Sequence, residues 1–599
     1  MFEIAITNNN NNSFACSQEN KYGFSKALHE SISFTAPKIK ISGLRYKGEN
    51  DDFYETEDFV IAVIGKVFFK LSIGSDHTNV SAQEVLNLFT SNNEAFIDKL
   101  KGNFIITIYN KKDDSVQVIK DQLGLKYLYY KSEKDNFYIS TNLNDFKQVS
   151  KNINYAAVIE KLLFSYPIGL ETYLEEVYML EEGALLRTNN GRIKKDNNSI
   201  VDELFNTKQP LSKFDKKTFL DIFEISVLLR ASVAPEINAS LTGGFDGRTN
   251  IAVLLNHKKK FHSYSFGKEG GENTKVPLLV ASKLKLDYEP IYLDGEFEQN
   301  YSQCALDVIN FSDGISNFER ANYIYAMHKL TEHARYNITG LIGGEIFAPV
   351  HLKTDYINDT YYDIIYTGSN FDINKLLLEK GLKEFINDEI INNKLIIEKV
   401  NNNIEARRKL VVEWKKEKYD WLYYLKDFIT MGFHQFYGNQ MHLERYYNEN
   451  LSPFYDFDVM KYLFSTEHIL VFQNAFKDSP LLRRQNRKLQ TLIISHFSKA
   501  IAEIPVDRGY PPAYTTDIRR LLIPLIFYKR RFNRKRSDPE FDSPGWSKIL
   551  YLYLIQNLDF LSSEFLDSQK TILALKKYNS EKYNKSFNQL LSIAIWLKQ

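Results

Sequence analysis

The residues best suited to chemistry lie in LTGGFDGRTNIAVLL, positions 241–255. A short apolar run (Ile237, Ala239, Leu241) leads into Gly243 and Gly244, then Asp246, then an apolar-periodic stretch starting near Arg248. Paired glycines let backbone N–H groups converge on an anion, and a helix N-terminus behind them adds positive partial charge. Asp246 sets a carboxylate beside that cradle, where a divalent cation would bridge it to phosphate oxygens. The stretch reads as a nucleotide phosphate loop. It is not of the Walker type, because no Gly-Lys-Ser/Thr follows. The bland alternative is a strand–turn–helix whose two glycines serve packing alone.

Such a loop needs a parallel sheet to hold it, and the flanking sequence supplies one. From about residue 216 the pattern runs helix (FEISVLLRASV), loop, strand (FHSYSFG, 261–267), helix (VPLLVASKL, 276–284) and strand (EPIYLD, 289–294). NITGLIGGEIF (337–347) is a further strand entering a second glycine-rich turn. This alternation marks a parallel sheet with crossover helices, and ligands bind beyond the carboxyl ends of its strands. Residues 1 to about 205 are instead strand-rich, with FEIAIT, FVIAVIGKVFFKLS, NFIITIYN, VQVIK and YLYY as β-branched or aromatic runs. Asn8 to Asn12 read as a hairpin loop, and 204–215 as a connection between domains. Beyond 370 the sequence is mainly helical.

Composition narrows the function classes. A chain of 599 residues exceeds one core and predicts two or three domains. Lys and Arg number 76 against 75 Asp and Glu, so no nucleic-acid partner is expected. Only Cys16 and Cys304 occur, which excludes a disulfide framework or a cysteine metal site. The first residues have no basic and apolar signal pattern, and no run of about 18 apolar residues exists; the expected location is cytoplasmic. LLIPLIFYKRRFNRKR (521–536) joins an apolar run to a basic one. Segment 529–536 would suit an acidic partner or an anionic surface, or it is a helix with a solvated basic face.

The phosphate loop resembles the S-G-G-x-D-S motif of asparagine synthetases, β-lactam synthetases and lasso-peptide cyclases. Thr242 stands for the first serine, while Gly247 and Arg248 occupy the last positions. HSYSFG is similar to the family's H-S-F-S-x-G, which makes Leu241 and Phe266 candidates for the adenine pocket or plain buried strand residues. ITGLIGGEIF resembles L-S-G-x-G-x-D-E-L-F through Thr339, Gly340, Gly343, Glu345 and Phe347. There the aligned magnesium-binding aspartate is Gly344, and Leu341 replaces an acid. Glu345 remains as a metal ligand, a base or a helix cap. SPFYD (452–456) resembles the family's x-P-F-L-D, without its arginine, and IPVDRGYPP (504–512) is what is left of L-P-x-x-x-x-x-R-x-K. Arg508 is the nearest cation to the missing lysine, or half of an Asp507–Arg508 loop pair.

In the first half, residues 100–143 resemble the glutaminase domain of class II amidotransferases, with Gly102, Phe104, Asp121, Gly124, Leu128, Tyr129, Tyr130 and Ser140 in register. Such glutaminases use a first-residue cysteine whose own α-amine is the base. Here the chain reads Met1-Phe2, and Ile64-Gly65-Lys66 stands where N-G-E holds glutamine.

The resemblance implies an α/β protein. An N-terminal-nucleophile-hydrolase-like αββα sandwich (1–205) without glutaminase activity would precede a parallel-sheet adenine nucleotide α-hydrolase-like, or ATP pyrophosphatase, domain (216–515) and a helical extension (516–599). The implied activity is an ATP- and Mg2+-dependent ligase that adenylates a small-molecule or peptide carboxylate and passes it to ammonia or an amine. Asp246 and Glu345 would hold metal; Thr242, Gly243, Gly244, Gly247, Arg248, Thr339 and Gly340 would hold the nucleotide; Glu345 and Arg508 would assist the chemistry. A non-catalytic nucleotide-binding scaffold, a ligase for surface polysaccharide and a homodimeric assembly stay open.

Overall fold

Alternation of half-buried and exposed positions, as in HESISFTA (29–36), accompanies two antiparallel sheets built from the first 200 residues. The computed structural model describes residues 1–8, 14–16, 28–69, 78–189, 192–197, 203–205, 210–348, 357–473, 475, 487–533, 541–562, 564–577 and 584–599. Asn9 to Asn12, and residues 206–209 of the expected connection, lie outside them.

The strands in chain order are β1 (Glu3–Thr7), β2 (His29–Ala36), β3 (Ile39–Tyr46), β4 (Phe53–Glu55), β5 (Phe59–Phe69), β6 (Thr78–Asn79) and β7 (Lys101–Asn110). They continue with β8 (Ser115–Lys120), β9 (Tyr129–Glu133), β10 (Asn136–Ser140), β11 (Tyr178–Met179), β12 (Ala184–Asn189) and β13 (Arg192–Asn197). One sheet runs β11-β9-β10-β1-β3-β2, the other β13-β12-β8-β7-β5-β4 with β6 beside β5. Ile4, Ile6, Val60, Ala62, Ile64, Ile105, Val118 and Ile139 form a dry core shared by the two sheets. The outer face of the second sheet packs on the helix Ala82–Asn92 through Val85 and Leu86. The outer face of the first joins the core of the helix Tyr155–Phe164 and of the later half.

Asp121 shows why the D-x-x-G pattern sits where it does. Its carboxylate accepts from the backbone N–H of Leu123 (3.0 Å), Gly124 (2.8 Å) and Phe104 (3.1 Å), closing the turn after β8. Gly124 takes φ +59° there, a conformation open to glycine at little cost.

The second half is organised by a five-stranded parallel sheet of β14 (Ile237–Ser240), β15 (Phe261–Gly267), β16 (Tyr288–Tyr292), β17 (Tyr336–Ile338) and β18 (Glu449–Leu451), in the order β16-β15-β14-β17-β18. All four pairings are parallel. Strand order reverses at β14, so the crevice between the carboxyl ends of β14 and β17 is the topological switch point. Helices dominate from 359 onward, and none of the described helices is long and apolar enough to cross a membrane. Antiparallel sheets, a later parallel sheet and a helical C-terminal part agree with the expected fold class.

The two halves are joined by buried charge. Glu3 accepts from Arg445 Nη2 (2.9 Å) and Asn142 Nδ2 (2.6 Å), while Arg445 Nη1 donates to the Phe311 carbonyl (2.7 Å). Lys126 pairs with Glu449 at 2.6 Å, and the Tyr127 hydroxyl donates to the His434 carbonyl. Neither Glu3 nor Arg445 can reach water. Arg445→Met is therefore expected to cost about 3–5 kcal/mol by stranding the Glu3 carboxylate. Adding Glu3→Leu should recover most of that loss. Urea unfolding of the two variants checks both outcomes.

Candidate functional site

Three backbone segments meet at Asp246. The first is the loop after β14, which ends in the helix Asp246–Asn256 with Asp246 as its first residue. A Cβ on Gly247 would lie 2.4 Å from the Ser240 carbonyl, so the helix can return this close to its strand only with glycine there. The second is the turn after β17. A Cβ on Gly340 would lie 2.8 Å from the Gly247 nitrogen, and one on Gly343 2.9 Å from Asp246 Oδ1. Ser240 Oγ accepts from the Gly340 N–H at 3.1 Å and locks the two turns together. The third is 504–510, where the Asp507 N–H donates to the Gly243 carbonyl at 2.8 Å.

Ile342 occupies a left-handed conformation (φ 73°) in the second turn. A β-branched residue there is strained, and such strain concentrates at ligand-contacting turns.

A cleft of about 290 Å3 opens at this junction. Thr242, Asp246, Gly247, Thr339 and Gly340 line it, as do the rings of Phe266, Tyr264 and Tyr323. Phe266 meets Tyr323 edge-on with ring centres 5.2 Å apart, giving an apolar wall suited to a flat base. Five of the residues picked out in the sequence for the loops therefore border one cleft, together with Phe266.

Others sit elsewhere. Leu241 is fully buried and lines no part of the cleft, which corrects its assignment to a base pocket: it is a core residue beneath the loop. Arg248 is a clearer correction. Its guanidinium is buried and donates to the carbonyls of Ile504 (2.6 Å) and Pro505 (2.7 Å), so it anchors the third segment and offers no fork to phosphate. Burial lowers its pKa to about 10. Gly243 and Gly244 shape the loop without lining the cleft; Gly243 spends its carbonyl on Asp507. Arg508 is half-buried on the same segment, and among the described residues it makes no ion pair with Asp507.

Glu345 is buried on the short helix Gly343–Phe347. Burial raises its pKa to about 7, with the Asp246 charge adding to the rise and Arg487 opposing it. It is the electrostatic neighbour of Asp246 without reaching the cleft.

Arg487 and Gln490 escaped the sequence reading. Gln490 Nε2 donates to Asp246 Oδ1 at 2.7 Å, and Arg487 Nη1 lies 3.5 Å from the same oxygen. A Cβ on Gly344 would lie 3.7 Å from that nitrogen. The place where the resemblance expects an acid thus faces a guanidinium. Arg487 is buried and its Nη1 has no hydrogen-bond partner. The only hint in the sequence was the basic run RRQNRK at 483–488, far from any glycine motif. Glu444 was missed too. It lines the cleft, and burial raises its pKa to about 7 although Gln440 and Asn450 donate to it.

The basic segment begins on the helix Ile523–Asn533, where Arg530 pairs with Glu272. Leu525 and Tyr528 are exposed, and the side chains of 531–536 lie outside the described residues.

Residues 70–199 match the glutamine amidotransferase domain family. The putative glutamine-hydrolysing asparagine synthetase 2 of Methanocaldococcus jannaschii is 22% identical over 319 residues, 49% of this chain and 59% of the relative. The glutamine-hydrolysing asparagine synthetase 1 of Bacillus subtilis is 19% identical over 342 residues, 54% of this chain and 52% of the relative. The chain spans about half the length of the curated relatives it matches. Among solved structures, glutamine phosphoribosylpyrophosphate amidotransferase from B. subtilis, complexed with ADP and GMP, is 13% identical over 39% of this chain and 52% of that one. Its TM-score is 0.19. Antiparallel sandwich and domain match together define an amidotransferase-type protein. More closely, the matches support a divergent member of the asparagine-synthetase-like superfamily, at low identity.

Glu345 gives the site a pH signature. Its pKa rises from 4.5 in the unfolded chain to about 7 on folding. Its stabilising share is complete below pH 4.5 and is lost as pH rises towards 7, where the buried carboxyl ionises. Glu345→Gln removes that loss. The stability of the variant relative to wild type is expected to climb between about pH 4.5 and 7, by on the order of 1 kcal/mol per pH unit, and then level off. Urea unfolding at a series of pH values checks it.

Proposed function

We propose that the protein is an ATP-dependent amide-forming ligase. A carboxylate oxygen attacks the α-phosphorus of ATP, pyrophosphate leaves, and the acyl-adenylate forms. Ammonia or an amine then attacks the acyl carbon, AMP leaves, and the amide nitrogen gives up its proton. The observation that carries this reading is the meeting of two glycine turns over one carboxylate at the switch point, in a cleft with an aromatic wall.

The cleft suits a nucleotide: small or hydroxyl side chains leave backbone accessible to phosphate, and aromatic rings line the same cleft. For the metal, Asp246 qualifies with a carboxylate at the cleft whose Oδ1 is held by Gln490 and whose Oδ2 points near Gly344. One carboxylate with phosphate oxygens is an ordinary magnesium set. Glu345 does not qualify, being buried away from the cleft with its ionisation disfavoured by burial and by Asp246. Magnesium bound there would neutralise polyphosphate charge. Among the chain's own residues, Arg487 adds fixed positive charge beside Asp246, and Arg508 stands on the segment that backs the Gly243 turn.

Glutamine hydrolysis is no part of this reading. Cys304 is buried on the helix Gly295–Phe311, where burial pushes its thiol pKa up. The Cys16 thiol donates to the Ser42 carbonyl at 3.5 Å. Nitrogen would come from free ammonia or from an amine on the substrate, as in an intramolecular closure. The substrate would be a small molecule or peptide, and the location cytoplasmic. The scaffold reading keeps one observation in its favour: Gly344 and Leu341 leave the second turn with a single acid, whose pKa burial raises to about 7.

Asp246→Asn is expected to weaken Mg–ATP binding by about 10-fold or more, and Arg487→Met by a similar factor, since each removes a charge at the phosphate end. Calorimetric titration with ATP in magnesium checks both; unchanged affinity in Asp246→Asn would remove the metal assignment. Exchange of labelled pyrophosphate into ATP with candidate acids separates ligase from scaffold. In a working ligase, Arg508→Ala should cut single-turnover AMP formation by about 10²–10³-fold. Wild-type protein that binds ATP yet never exchanges pyrophosphate supports the scaffold.

A further inference from the structure

The histidine that opens the HSYSFG strand lies at the other end of the parallel sheet from the cleft. His262 is the second residue of β15, whereas Phe266, which lines the cleft, is near its carboxyl end. Around His262 stand Asp287 and Glu289 at the start of β16, and His333 on the turn that enters β17.

His262 Nδ1 is 3.0 Å from Asp287 Oδ2. A carboxylate can only accept, so the proton sits on Nδ1 and Nε2 carries a lone pair. That Nε2 is buried with no hydrogen-bond partner among the described residues, on a side chain only 9% exposed, and lies 3.8 Å from Glu289 Oε2. His333 Nε2 is 2.8 Å from the same Glu289 oxygen. One donor atom from each of His262, Glu289 and His333 falls within 4.8 Å of the other two. The sequence composition had excluded a cysteine metal site, and this cluster needs none.

We propose that His262, Glu289 and His333 form a site for a divalent transition-metal ion of the zinc class. Two imidazoles and a carboxylate, with water in the remaining position, are a zinc donor set, while calcium and magnesium favour all-oxygen shells. Asp287 is the outer carboxylate that fixes the His262 tautomer and raises its basicity. The ion ties the starts of β15 and β16 to the turn before β17, so its role is to clamp the amino-terminal edge of the sheet.

Binding requires one rearrangement. The two imidazoles stack at 3.6 Å with planes 7° apart, and lone pairs in parallel planes cannot converge on one ion. His333, 34% exposed at the surface, is the ring free to turn. Bonds then form from His262 Nε2, a Glu289 oxygen and His333 Nε2. The Nε2 proton of neutral His333 moves to Nδ1 through solvent, so both imidazoles bind as neutral ligands and the proton count is unchanged.

The experiment is calorimetric titration of the chelator-treated full chain with zinc chloride at neutral pH. One zinc per chain is expected, and cobalt in its place should give the visible bands of a four-coordinate nitrogen and oxygen site. His333→Ala and Glu289→Gln change exposed residues and should each abolish this binding event. Asp287→Asn should weaken it about 10–100-fold. Absence of stoichiometric zinc uptake by wild type overturns the proposal, as does undiminished uptake by His333→Ala. Nucleotide binding is not part of the readout, so the result is independent of the ligase reading.

Discussion

The site depends on how closely two backbones can approach. Gly340 and Gly343 bring the turn after β17 against the first residues of the helix that begins at Asp246, and Gly247 lets that helix fold back on β14. A side chain at any of the three would enter space held by backbone or by the Asp246 carboxylate. This contact sets where Asp246 stands, and Asp246 in turn gathers Gln490 and Arg487 from a helix far along the chain. The buried Arg248 completes the arrangement by drawing 504–505 to the same helix. Position at this junction is thus fixed by excluded volume first and by charge second.

What the sequence disclosed follows from that hierarchy. Glycines at close approaches and β-branched strands leave local patterns, so the loop 241–247, the strand FHSYSFG and the second glycine-rich turn could be read directly, while the strand order could not. Strands such as ISFTAPKIKIS (32–42) were overlooked, because half-exposed hairpins alternate polar residues that mask their β-branched ones. Side-chain roles were harder still. Arg248 looked like a phosphate ligand because a cation opens the helix, but whether it turns to the cleft or to the Ile504 carbonyl is decided by a segment 256 residues away. Glu444 left no local mark, and Arg487 only a basic run far from any glycine motif. Their significance comes from burial and from what lies opposite, which no spacing encodes.

The electrostatics of the cleft differ from those of a pair of ionised acids around a metal. Asp246 shares its surroundings with a buried guanidinium, and both Glu345 and Glu444 carry raised pKa values near 7. Negative charge is held down where polyphosphate would lie, which favours an anionic guest over a hydrated cation alone. Strain at Ile342 belongs to the same corner. A turn already held in an unfavourable conformation has less to lose when a ligand demands a particular backbone direction.

The buried Glu3–Arg445 pair has a consequence for inheritance. Each half of the chain supplies the counter-charge that the other half needs in order to fold with its polar groups satisfied. A mutation that silenced any chemistry in the first half would leave this bond untouched, while a deletion of that half would expose a large apolar face and orphan Arg445 together with Glu449. Selection on folding alone would then preserve the amidotransferase-like half in descendants. Its persistence is no record of what it catalyses.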